Sequence, residues 1–547
     1  MLANKLARRS LIALAIFSAY LFAGCSSFRS TTEPGTVTFL IESMPLNLDP
    51  RIGADAFSEH IDGLIFSSLL AHDASMNIVP DLAESWETPD PLTYIFHLRK
   101  GVKFHDGSPF TSADVKFTFD SIMSGAIKTG KRTAFRTVGS VEAPDDYTVV
   151  FHLKEAYASF LWNLTRPGVG IVHRGSGLEV AQKPIGTGPF RFVSMTVDEE
   201  IILDRNADYF GSAVANNPRS VSLANTAPKI VDAIPQEPDP GIPVEHIRFR
   251  IVPDATTRAL ELRKGTADGE INSLTPDMVA TLAKQPGLQV SEQPGTVLAY
   301  IAINMDDPIL AHREVRQALA FATNRDSLIQ YLLRGEARPA ASLLPPNHWA
   351  YEPSLKQYAN DANRAEQLLD AAGYPRGKDG VRFHLTLKTS TEESTRLLSE
   401  ALADQWKKVG VALDLRPLEF ATFYSDITHG TFQLYTYRWI GGNNDPDIFE
   451  FVFSSKKMPP DGANRGHYRN SELDALIAQE RVEMDQQKRK AILSSIQKIV
   501  SEDEPYINLW YLDNEAVHRN RLTDILIPPG GDYEFLDAAR LRWTIGE

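Results

Sequence analysis

The chain has 547 residues, with 56 Lys and Arg against 70 Asp and Glu, a net charge of −14 and 43% hydrophobic residues. That length is roughly three to four usual single domains and carries enough apolar material for more than one core, which excludes a disordered or fibrous protein. An acidic balance without basic tracts argues against nucleic acid as the main partner, and the single cysteine, Cys25, leaves no disulfide framework and no CxxC redox or zinc site.

In chain order, the first element is a leader. Lys5, Arg8 and Arg9 form a positive start, Leu11 to Phe22 is a short apolar run, and Ala23-Gly24 supplies small residues before Cys25, the three parts of a secretory signal. The apolar run is shorter than the about 20 residues that span a bilayer. Short β-branched and aromatic runs then predict strands at Thr36–Ile41, Thr93–Leu98, Tyr147–Leu153 and Phe190–Val193. Thr111-Ser-Ala-Asp114 is a capping box opening a helix with Val115 and Phe119 four apart. The 26 residues Pro218–Pro243 hold six prolines and predict an irregular surface loop. Later, Arg313 to Asn324 carries Val315, Leu319 and Ala322 on one face. Asn363 to Ala372 ends at Gly373, Ser394 to Lys408 ends near Gly410, and Ser471 opens a long helical pattern reaching about Val500. The first half is strand-rich and the second helix-rich, which predicts α+β lobes rather than one closed barrel.

Motifs for catalysis are missing. There is no GxxxxGK[ST], no HExxH and no GxSxG. Gly186-Thr-Gly188-Pro189 fails as a dinucleotide fingerprint, because no third glycine follows and a strand comes next. The 13 histidines are dispersed, so no local metal pair is visible. The expectation is a protein that is not an enzyme, with no catalytic residue, no metal site and no cofactor.

Two resemblances give a positive reading. The small-small-Cys junction resembles the lipobox of bacterial lipoproteins, although Phe22 stands where Leu is usual. It implies a signal peptide over 1–24, lipidation of Cys25, and a Ser/Thr-rich tether over 25–35. Thioether-linked diacylglycerol and usually a third acyl chain meet the multi-chain requirement for stable anchoring. Removal of Lys5, Arg8 and Arg9 takes the net charge from −14 to −17. In a Gram-negative host, Ser26 in place of Asp points toward the outer membrane.

The second resemblance rests on five stretches in a fixed order. They are Leu48-Asp49-Pro50; Pro80 to Val115 with Thr93-Tyr-Ile-Phe-His-Leu-Arg-Lys-Gly-Val-Lys-Phe-His-Asp-Gly107; Pro184-Ile-Gly-Thr-Gly-Pro-Phe190; Glu314-Val-Arg-Gln-Ala-Leu-Ala-Phe-Ala322 with Asn324-Arg325; and Trp439 to Asp447 with Asn464 and Tyr468. Together they resemble the family 5 extracellular solute-binding proteins of ABC transporters, which include dipeptide-, oligopeptide- and nickel-binding members. The resemblance implies an α/β, two-lobed, type II-like periplasmic-binding fold with an extra subdomain. Lobe I would be 36–68, 179–295 and 518–547, the subdomain 69–178, and lobe II 296–517, with chain crossings near Tyr300 and Asn514. Glycines at 101, 107 and 186–188 would punctuate turns, Trp86 and Phe104 would fill cores, and Arg316 and Arg325 would meet carboxylates.

The function implied is capture of a peptide or peptide-like solute between lobes, hinge closure, and delivery to membrane permease subunits by a lipid-anchored monomer in the periplasm or cell envelope. A non-peptide solute (an oligosaccharide, an aromatic compound or a metal chelate), or a lipid-anchored sensor without a permease, remains the alternative. The cleft would be lined by Ala54, Asp55, Ala56 and Phe57 from one lobe, and by Tyr435, Tyr437, Trp439, Gly442, Asn443 and Asp445 from the other. Peptide-binding members place an Asp three residues after the Trp, against the ligand's α-ammonium, and here that position is Gly442. The chain thus lacks a charge-assisted hydrogen bond worth roughly 1.5–3 kcal/mol, and its ligand is expected to lack a conventional free α-ammonium there or to bind it differently. Asp445 reads as a loop-bracing carboxylate, and Asp55 as a candidate partner for a cation from the opposite lobe.

Overall fold

Thr36–Ile41 is buried at every residue, because it lies mid-sheet between two parallel neighbours, His246–Ile251 and Gly269–Ile271. Residues 35–165, 167–213, 242–441 and 444–542 are described in this computed structural model. The seven-stranded sheet runs Leu288–Gln293, Asn514–Arg519, Gly269–Ile271, Thr36–Ile41, His246–Ile251, Glu200–Arg205, Phe190–Thr196. Period-two alternation divides its first strand between two cores. Val37, Phe39 and Ile41 face the helix Ala56–Ile65, while Leu40 faces Leu262, Val279 and Leu282 on the helices Ala255–Lys264 and Pro276–Leu282.

A second sheet has six strands in the order Ala337–Pro339, Tyr506–Leu512, Leu298–Ile303, Leu434–Trp439, Phe383–Ser390, Val411–Leu418. The same alternation recurs in its central strand. Ala299, Ile301 and Ile303 join the core under the helices Arg313–Ala322, Ala362–Ala371 and Glu393–Lys408. Leu298, Tyr300 and Ala302 join the core under Phe420–Thr428, Ile448–Phe453 and Gln486–Asp503. A four-stranded antiparallel sheet, Ala83–Asp90, Thr93–Leu98, Thr148–Leu153 and Val138–Asp145, packs on the helix Ser112–Met123. The Thr111–Asp114 capping box opens that helix. Among the described residues, no helix is long and apolar enough to cross a membrane.

Chain passes between the two large sheets from Gln293 to Leu298 and from Leu512 to Asn514. The return therefore falls at Asp513, because Asn514–Arg519 is hydrogen-bonded between Leu288–Gln293 and Gly269–Ile271. Residues 514–517, expected in lobe II, belong to the lobe I sheet. The long helical pattern from Ser471 is two helices, Ser471–Glu480 and Gln486–Asp503, since Asp485 caps the second by accepting from Lys488 N. Arg316 and Arg325 bind backbone carbonyls rather than carboxylates: Asp503, Leu310 and Ala311 for one, Asn508 and Tyr358 for the other. Gly186 and Gly188 are required by close approach, because a Cβ at either would collide with the carbonyl oxygens of Ile65 and Leu64. Cys25 and nearly all of the Pro218–Pro243 stretch lie outside the described residues.

Candidate ligand-binding cleft

The strands Phe383–Ser390, Val411–Leu418 and Leu434–Trp439 are parallel, so their C-terminal ends converge on one edge of the six-stranded sheet. In open α/β sheets this is the edge where ligands bind. The segment that follows Trp439 meets the extra subdomain. Tyr157 Oη donates to Asp447 Oδ2 at 2.6 Å, and Ser159 Oγ donates to Asp445 Oδ1 at 2.7 Å. Arg481 pairs with Glu155 at 2.7 Å beside them.

Between these walls is a cavity of about 450 Å³, within the usual range for small-molecule sites. Ala54 and Glu59 line it from the first lobe, Lys131, Arg136 and Tyr157 from the subdomain, and Asp447, Glu450, Phe451 and Lys457 from the second lobe. Most of its charges are already engaged. Lys131 Nζ donates to the carbonyls of Pro50 (2.8 Å) and Gly168, and Lys457 lies 3.6 Å from Glu450. Burial, then the neighbouring Asp447, raise the Glu450 carboxyl pKa. Burial likewise raises that of Tyr157, with Asp447 and Asp445 adding to it, so its hydroxyl stays a donor.

The expected site residues separate into groups. Ala54 lines the cavity and Ala56 is exposed, whereas Phe57 packs half-buried on the first-lobe core. Asp55 caps the helix Ala56–Ile65: its carboxylate accepts from Ser58 N at 3.0 Å and from Leu46 N at 3.3 Å, and among the described residues it forms no ion pair with the opposite lobe. Tyr435, expected as a cleft face, is instead wholly buried, because its strand position opposite Ala302 points into the second-lobe core. Tyr437 is half-buried against Phe423 at 5.8 Å. Trp439 stacks on Tyr300 at 6.0 Å, which in turn stacks on Tyr506 at 4.4 Å. Asp445 braces its loop by accepting from Asp447 N and Ser159 Oγ, and burial pushes its pKa up to about 6 against the opposing pull of Arg489. Gly442 and Asn443 lie outside the described residues.

Sequence reasoning missed Glu59, Lys131, Arg136, Tyr157, Glu450 and Phe451. Only Phe451 left a signal: Ile448–Phe453 has five apolar residues in six, and one short helical turn cannot bury them all. Among the described residues there is no group of three or more His, Cys, Asp or Glu that could hold a metal ion.

Two sheet-centred lobes, an added subdomain and a cavity walled by all three define a two-lobed binding protein of the type II-like periplasmic class. Residues 77–458 match the model of the bacterial extracellular solute-binding proteins, family 5 Middle, and the chain belongs to that family. It is 27% identical to di/tripeptide-binding protein 1 of Pseudomonas aeruginosa (strain UCBPP-PA14), over 97% of this chain and 99% of that one. It is 28% identical to heme-binding protein A of Haemophilus influenzae (strain ATCC 51907 / DSM 11121 / KW20 / Rd), over 87% of each. The solved structure of HbpA2 from Haemophilus parasuis superposes with a TM-score of 0.78 at 26% identity, covering 93% of this chain and 100% of that one.

Proposed function

We propose that this chain is the solute receptor of an ABC importer, capturing a peptide or peptide-like solute between its lobes and handing it to membrane permease subunits. The single observation that carries the reading is the cavity with walls from the first lobe, the subdomain and the second lobe. A solute touching several walls binds the closed arrangement better than the open one, which is what closure by a ligand requires. The likeness to a di/tripeptide-binding protein along nearly the whole chain supports peptides as the solute class. The relatives are binding proteins, which supports a receptor without turnover.

The leader and Cys25 support a protein held at the cell envelope by lipid on that cysteine. Small-angle scattering with a dipeptide and tripeptide panel tests capture. A bound peptide should reduce the radius of gyration and leave the panel chemically unchanged. An unchanged radius with every member, or hydrolysis of any, overturns the reading. Intact-mass measurement of membrane-extracted protein tests the anchor: the lipid mass should be present, and it should vanish in Cys25→Ser.

A further inference from the structure

The cleft edge of the second lobe carries more exposed apolar surface than a small polar solute needs. Phe420 is 53% exposed, Tyr424 42%, Ile440 71% and Phe451 44%. They follow the C-terminal ends of two of the parallel strands, after Leu418 and after Trp439, and Phe451 also lines the cavity. The rings are contiguous. Phe420 stacks on Tyr424 at 6.0 Å, and Trp439 meets Phe451 edge-on at 6.2 Å. Exposed apolar surface that runs on from the wall of a cavity marks a binding face.

Arg465 bridges the two halves of this strip. Its guanidinium carbon lies 5.5 Å from the Tyr424 ring and 5.9 Å from the Trp439 ring. The residue is only 7% exposed, and its Nε and Nη1 make no hydrogen bond. Among the described residues no carboxylate forms an ion pair with it. The polar groups acting on it are the hydroxyls of Tyr435, Tyr300 and Tyr506. A buried cation whose neighbours are neutral hydroxyls, and which has no carboxylate partner among the described residues, is a receptor for an anion, and the flanking rings accept a flat group by stacking.

We infer that the solute is an organic acid bearing a flat apolar group, with the group laid along Phe420, Tyr424, Trp439 and Phe451 and the acid directed to Arg465. This rests on the solute-capture reading and names the chemistry its ligand must carry. A peptide with an aromatic C-terminal residue and a non-peptide aromatic acid share that chemistry.

Titration of the full chain in detergent with triglycine, Gly-Gly-Phe, 1-pyrenecarboxylate and 1-pyrenecarboxamide tests the inference. Gly-Gly-Phe or 1-pyrenecarboxylate should bind at least tenfold more tightly than triglycine, and whichever does identifies the source of the flat acid. The carboxylate should outbind the carboxamide by a similar factor. The double variant Tyr424→Ala/Phe451→Ala, at solvent-facing positions, should erase the preference for the flat group. Arg465→Gln should erase the preference for acid over amide. Should Arg465→Gln fail to fold, the surface double variant decides alone. Scattering on the same samples separates the two readings. Closure by triglycine without any preference for flat acids overturns this inference and leaves solute capture standing. Closure by no compound overturns both.

Discussion

Arg489 is nearly enclosed, yet it serves groups from two parts of the molecule. It pairs with Glu480 at 2.6 Å, donates to Ser159 Oγ of the subdomain at 2.8 Å and lies 3.9 Å from Asp445. Burial pushes the Glu480 carboxyl up to about 7 even so. Removing one partner of a buried pair strands the other. Arg489→Met is therefore expected to lose about 3–5 kcal/mol in denaturant unfolding, and Arg489→Met/Glu480→Met to regain part of it. At Gly442 the expected change is in selectivity. Supplying a carboxylate with Gly442→Asp should tighten free-amine peptides by more than about tenfold in calorimetry, leaving N-acetylated peptides unaffected.

Among the elements, the break between Ser471–Glu480 and Gln486–Asp503 depends on a cap. Asp485→Ala leaves Lys488 N without its acceptor and should cost about 1 kcal/mol in thermal unfolding. The pattern of apolar residues ran on through this break, which is why the sequence suggested one helix. Strands were legible where alternation is a local property: Thr36–Ile41 and Thr93–Leu98 are found with the bounds their composition predicts. Helix ends were legible too, since Gly373 and Gly410 adopt the positive φ that glycine favours there. The cleft was less so. Tyr157 and Asp447 are 290 positions apart and share one hydrogen bond, and no local pattern marks either. Tyr435 and Tyr437 share one strand face, yet one is core and the other borders the cleft edge. Depth within a sheet depends on the neighbouring strands and cannot be read from one strand.

At the scale of the whole molecule, acidic groups cluster where the chain passes between lobes. Glu515 stands directly opposite Glu292 across paired strands, and the carboxyl of Glu336 in the second lobe acts on it as well. Burial raises the pKa of both Glu515 and Glu336, and the nearby carboxylates of Glu292, Asp277, Asp513 and Glu270 add to it. Arg338 faces Asp513 at 2.7 Å and Arg334 faces Asp277 at 2.8 Å, so both nearby cations are engaged elsewhere. The folded protein holds these protons more tightly than the unfolded chain. Their contribution to stability is full below the ordinary glutamate value of 4.5 and is lost as pH rises through the higher folded-state values. Glu515→Gln should therefore flatten the decline in melting temperature between pH 5 and 9, with a gain on the order of 1 kcal/mol at the alkaline end and little change at the acid end. The same crossings impose an order on assembly. Among the described residues Leu288–Gln293 has no neighbour in its sheet except Asn514–Arg519, so a chain cut or stalled anywhere before residue 514 presents that strand and Gly269–Ile271 as bare edges. The second sheet, by contrast, is drawn from one uninterrupted stretch, Leu298 to Leu512. A growing polymer can complete its later lobe first, and its earlier lobe waits, open to mispairing, for almost the last residues to arrive.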